Sequence, residues 1–175
     1  MYFPTIDEVI TRQFEGNAIP IYREIVADLE TPVSAFLKIK KDGQSFLLES
    51  VEGGQRLARY SFIGTDPYKV LTISKNDGID PLVLVEREMN RFKVIPVPGL
   101  PRFFGGAVGF LGYECATRFE NLPEPEEDTL NLPMAVFMFT DTLLVFDHVT
   151  HKIKIVSLVR LDKDIARSYA EACRR

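Results

Sequence analysis

The sequence predicts an α+β fold: a mostly antiparallel β-sheet with helices packed on it. Three observations predict it. Strand-like apolar runs follow one another through polar connections too short for the long crossovers of parallel strands. Helical spacing occurs in separate stretches, each behind a hydroxyl or acidic cap. The chain has 175 residues, 46% hydrophobic and 26% charged, which suits one domain with a real core.

Taken in order, Thr5-Ile6-Asp7-Glu8 reads as a capping box. Ile6, Val9, Ile10 and Phe14 follow at helical spacing, and Gly16 offers a stop. Ile19 to Val26 alternates as a strand, placed at a sheet edge by Pro20. Thr31-Pro32 starts a second helix, with Val33, Phe36 and Leu37 expected to face the core. Phe46 to Ser50 and Arg59 to Gly64 read as two strands. Tyr68 to Ser74 is a third, followed by the turn Asn76-Asp77-Gly78. Asp80-Pro81 opens another helix, with Leu82, Val85, Met89 and Phe92 on one face. Arg102 to Phe110 is a glycine-rich strand, Tyr113 to Phe119 a short helix, and Glu120 to Pro133 an acidic, proline-rich surface loop. Met134–Phe139, Thr142–Phe146 and Lys152–Arg160 are strands, the last two forming a hairpin around 147–150. Asp162 to Arg175 is a helix with Ile165, Tyr169, Ala172 and Cys173 on one side. An amphipathic helix needs a surface to pack on, and this one runs to the last residue uncapped. The expectation is a piece of a longer protein.

Composition narrows the function classes. The net charge of −4, without a basic cluster, argues against nucleic acid. No apolar run approaches a membrane span. The two cysteines, Cys115 and Cys173, lie in different segments, and the start carries Asp7 and Glu8 instead of a signal sequence. A cytoplasmic location is expected.

Most motifs reduce to structure. Gly105 to Gly112 lacks the strand–turn–helix setting of a dinucleotide loop and the lysine of a phosphate loop. Its glycines read as places where another backbone comes close. His148 and His151, the only histidines, read as turn residues in water. The run Glu124 to Asp128 lacks the ordered ligand spacing of a calcium loop.

The stretch from Phe46 to Gly64 leaves two readings open. One is a hairpin-like pair with a polar connection. The other is a small zwitterion site, with Glu49 for an ammonium group and Ser50 to give and take hydrogen bonds. In that reading Arg59 holds a carboxylate, or equally pairs with Glu52, and Tyr60 and Phe62 form an aromatic wall.

Five segments carry a resemblance. They are Glu30 to Leu37, Phe46 to Gly54, Arg59 to Gly64, Phe104 to Tyr113 and Phe139 to His148. In order, and over essentially the whole chain, they closely resemble the N-terminal region of the anthranilate synthase component I family. Aminodeoxychorismate synthase component I shares the architecture but matches the LLES and RYSFIG blocks less well. A stand-alone amino-acid-binding module without a catalytic half is the other class in play.

The resemblance implies a function. The family converts chorismate and ammonia to anthranilate and pyruvate, and tryptophan inhibits it. Ammonia comes from glutamine through a glutamine amidotransferase subunit, component II. Residues 1–175 would be the N-terminal, tryptophan-binding regulatory domain. The catalytic residues and the magnesium site would lie in a C-terminal chorismate-binding domain outside this chain. No catalytic residue and no cofactor is therefore expected here. By the same resemblance Glu49, Ser50 and Pro32 line the tryptophan site, with Arg59, Tyr60 and Ser61 near it. The loop between the blocks departs from some relatives, which leaves the contacts of Gln55 and Arg56 open.

Overall fold

The computed structural model describes residues 1–49, 59–118, 120–122, 130–162 and 164–175. Ser50, Glu52, Gln55, Arg56 and the acidic run Glu124 to Asp128 lie outside the described residues. Among the described residues the α-helices are α1 (Ile6–Thr11), α2 (Pro32–Ile39), α3 (Pro81–Met89) and α4 (Ile165–Arg174). The strands are β1 (Ala18–Val26), β2 (Ser45–Leu48), β3 (Tyr60–Thr65), β4 (Lys69–Ile73), β5 (Gly106–Leu111), β6 (Ala135–Thr140), β7 (Thr142–Asp147) and β8 (Lys152–Arg160).

The fold is α+β with every strand pair antiparallel, as the short connections predict, but there are two sheets instead of one. Five strands run in the order β1-β8-β7-β3-β2, and three in the order β4-β6-β5. The chain leaves the larger sheet after β3, builds β4, β5 and β6 apart from it, and returns at β7. Apolar residues on both faces of β7 and β8 require this. One face packs on helices: Ile153 and Phe146 meet Ala35 and Phe36 of α2, while Val159 meets Ala172 of α4. The opposite face carries Leu143, Val145 and Val156, which meet Val108 and Met138 of the smaller sheet. The outer face of the smaller sheet, Ile73, Ala135 and Phe137, takes Leu84 of α3. The order of layers is helix, sheet, sheet, helix.

The caps form as read. The Thr5 hydroxyl accepts from the Glu8 amide at 3.4 Å, and the Glu8 carboxylate accepts from the Thr5 amide at 2.7 Å. Thr31 and Ser34 exchange the equivalent bonds at 2.9 and 3.1 Å. Asp80 caps α3; α4 starts later than the expected Asp162, at Ile165, with Asp164 as its cap.

The helix faces differ from their reading. In α1 only Val9 is buried, and Phe14 lies past the helix end, exposed. The chain turns there because Gly16 sits hard against the Lys93 carbonyl. In α2 the buried row starts from Pro32 and runs through Ala35, Phe36 and Ile39, so Val33 and Leu37 face solvent. In α3, Leu82 is exposed while Glu88, a charge, is buried. Lys69 at 2.6 Å and Arg91 at 2.9 Å neutralise it and tie the helix to β4. The predicted turn at Asn76 is a short 3₁₀ helix, Lys75–Asp77, ending on Gly78 in the left-handed region. α4 finds its packing surface within this chain: Ile165, Tyr169 and Cys173 cover Ile19, Ile21 and Val159.

β1 is an edge strand of its sheet, as Pro20 predicts. The glycine-rich run does admit close backbone. A Cβ at Gly109 would stand 1.9 Å from the Val136 carbonyl oxygen across the β5–β6 pair.

Candidate functional site

β2 and β3 pair antiparallel, from Ser45 opposite Thr65 to Leu48 opposite Phe62. Glu49 follows directly after the last pair. It is exposed and makes no hydrogen bond or ion pair among the described residues. Ser50, its expected companion, lies outside them.

Strand alternation divides the remaining residues between two faces. Ser61 is opposite Phe146 and shares the α2 face with Ile63 and Leu47. Counting on from Leu47, Glu49 has the same parity. Pro32 is buried at the first turn of α2, the helix that lies across β2 and β3. Pro32, Glu49 and Ser61 therefore belong to one layer. Tyr60 is opposite Asp147 and belongs, with Phe62, to the face that meets the smaller sheet. The Tyr60 and Phe62 rings lie 6.1 Å apart, and Phe62 meets Phe103 edge-on at 5.2 Å, so these rings pack toward the smaller sheet, on the face opposite to the one that Glu49 shares with Leu47.

Arg59 has a partner that its sequence neighbours do not reveal. Its Nε and Nη2 donate to the two carboxylate oxygens of Asp147, at 3.1 and 2.8 Å. The same guanidinium lies 4.9 Å from the Tyr60 ring centre. The Val149 and Thr150 amides also donate to Asp147. Burial pushes the Asp147 carboxyl upward, but Arg59 and the two amides outweigh it and hold it down at about 2. Arg59 thus locks the start of β3 to the end of β7.

His148 is exposed, as a turn histidine should be, but it is not simply in water. Its Nε2 lies 2.8 Å from the Ser61 Oγ. Its backbone amide donates to the Arg59 carbonyl at 2.9 Å. Asp147 and His148 were not legible as partners of Arg59 and Ser61, because the contacts span 88 and 87 residues. The one sequence signal is the position of Asp147-His148 at the end of a strand.

Among the described residues no three His, Cys, Asp or Glu side chains gather around a point that could hold a metal. These residues do not fit a magnesium site. No helix among them is long and apolar enough to cross a membrane.

Comparison with known proteins decides the family. The model of the chorismate-binding enzymes matches residues 43–174. The chain belongs to the chorismate-binding enzyme family. A protein of Acetivibrio thermocellus named anthranilate synthase component 1 is 42% identical over all of this chain and 38% of its own length. A probable anthranilate synthase component 1 of Schizosaccharomyces pombe is 46% identical, covering 90% of this chain and 32% of its own. The chain therefore spans about a third of the length of the curated relatives it matches. The crystal structure of anthranilate synthase component I from Streptococcus pneumoniae TIGR4 superimposes with a TM-score of 0.56, at 24% identity, over 86% of this chain and 35% of that one. It shares the fold.

Proposed function

We propose that these residues form the N-terminal, tryptophan-sensing part of an anthranilate synthase component I. The enzyme as a whole would aminate chorismate and release pyruvate. The observation that carries this reading is the match to relatives of that name over nine-tenths or more of this chain but only about a third of theirs. The word component in their names fits an assembly in which a glutamine amidotransferase subunit supplies ammonia. On this reading the catalytic groups and magnesium belong to the C-terminal chorismate-binding domain outside this chain, and the place of work is the cytoplasm.

The role of this chain is then regulatory. Glu49, an exposed carboxylate just past β2 without a partner among the described residues, is suited to the ammonium group of an amino acid. On this reading Ser50 supplies the adjoining hydroxyl, and Pro32 and Ser61 belong to the same layer as Glu49. Arg59 and Tyr60 act differently: with Asp147 they fix the strand end from which the site is built. Tryptophan inhibits by binding the inactive arrangement of the enzyme more tightly than the active one.

The test uses a feature of composition. The chain contains no tryptophan, so indole emission reports added ligand alone. Titrating the chain into L-tryptophan should raise its anisotropy along a saturable curve, with D-tryptophan unmoved. Glu49→Gln should weaken binding about tenfold, the order of one charge-assisted hydrogen bond. Undiminished binding by Glu49→Gln would remove this residue from the site.

A further inference from the structure

A cavity of about 240 Å³ opens at the rim between the two sheets, away from the end of β2. Leu158 of β8 and Thr140 of β6 line it from the two sheets, and Phe104 and Gly106 from the start of β5. Met89 and Phe92 close it from the end of α3. Gly106 helps to keep it open. Its φ is +124°, a conformation that favours glycine, and a Cβ there would stand 3.3 Å from the Met89 methyl.

The polar groups around this cavity are nearly all occupied. The Thr140 hydroxyl donates to the Thr142 carbonyl at 2.8 Å. The Tyr68 hydroxyl faces Glu88 at 3.5 Å; burial first, then the Glu88 charge, pushes it up to about 12, so it stays neutral. Arg102 is the exception. It lines the cavity, is exposed, and makes no ion pair or hydrogen bond among the described residues. No carboxylate lines the cavity to receive an ammonium group.

We infer that this cavity is a second ligand site, for a small apolar carboxylic acid whose rings lie against Phe92, Phe104 and Leu158 and whose carboxylate is held by Arg102. Apolar walls with one placed charge are the usual chemistry of a ligand pocket. The volume lies below the roughly 300–1,000 Å³ of drug-sized pockets, so the ligand has one or two rings. A free guanidinium fork matches a planar carboxylate. A simple acid fits better than a zwitterionic amino acid, which keeps this site distinct from the one proposed at Glu49.

The chain has four methionines, so methyl-¹³C-methionine NMR gives at most four signals, and Met89 is the one in the cavity wall. The Met89→Leu variant assigns it. The probe is 2-naphthoate, with the neutral 2-naphthalenemethanol as control. The Met89 signal should move saturably with 2-naphthoate, while the buried Met134 signal holds still. The alcohol should bind about tenfold more weakly. Arg102→Gln, at an exposed position, should remove that preference, and Arg102→Lys should restore part of it. A Met89 signal that does not move with 2-naphthoate would overturn the site. Equal binding of acid and alcohol, or an acid preference that survives Arg102→Gln, would overturn the role of the guanidinium.

Discussion

Arg59 grips Asp147 with two parallel hydrogen bonds, across 88 residues of sequence. The carboxylate is almost wholly buried and the guanidinium is partly exposed. The pair fastens β3 to β7 beside the proposed amino-acid site, and removing either side has unequal consequences.

Arg59→Gln leaves a buried carboxylate with only two backbone amides to satisfy it. Removing one partner of such a pair destabilises because it leaves an uncompensated charge, and the exposed side of Arg59 moderates the loss. Urea unfolding should show that loss. Asp147→Asn should cost less, because the amide oxygen still accepts from Val149 and Thr150.

Acid should expose the same pair. The Asp147 carboxyl is held near about 2 in the folded chain, against an ordinary 3.8. A depressed carboxyl stabilises the fold above its unfolded value and loses that contribution as pH falls through the folded one. Between about pH 4 and pH 2 the chain should lose about 1–2 kcal/mol from this group, after discounting for the exposed side of Arg59. Asp147→Asn should flatten that part of the stability–pH curve.

Gly109→Ala should be among the most damaging single-methyl additions. The new carbon would meet the Val136 carbonyl at 1.9 Å and the Phe137 Cα at 2.8 Å, both backbone. Neither can rotate away, so β5 must separate from β6. We expect a loss of at least about 2 kcal/mol. Hydrogen exchange should quicken at β5 and β6 while the β1–β8 pair stays protected.

Ser61 and His148 form a pair across 87 residues, and a double-mutant cycle isolates it. With Ser61→Ala and His148→Ala, the coupling should be about 0.5–1.5 kcal/mol in thermal or urea unfolding. Zero coupling would mean that water replaces the bond without loss.

Local signals in the sequence were readable, and distant ones were not. The Thr5 and Thr31 caps, the edge position given by Pro20 and the apolar side of α4 depend on residues within a few positions of one another. The split into two sheets depends on which faces of β7 and β8 find partners, and neither face is marked by period alone. The inward row of α2 was misread because Pro32, at the first turn, fixes the rotation of the helix. At the candidate site, Tyr60 and Phe62, read as a wall beside Glu49, alternate onto the opposite face of the sheet, and only the place of Glu49 just past a strand end was legible. Asp147 and His148 were not, since their partners lie a whole excursion away in sequence. Glu88 escaped notice because Lys69, one of its two cations, lies 19 residues away on β4.

The pairing of β1 with β8 joins Ala18 to Arg160 and Val26 to Lys152. On a ribosome β1 meets only isolated bridges, at Phe3 and Val94, until β8 is made and pairs along its whole length. During that interval Ile19 and Ile21, later fully buried, have neither β8 nor α4 to cover them. Contacts of such range slow folding. The β1 segment is thus most open to chaperones, and to mispairing with copies of itself, in the interval before β8 is made.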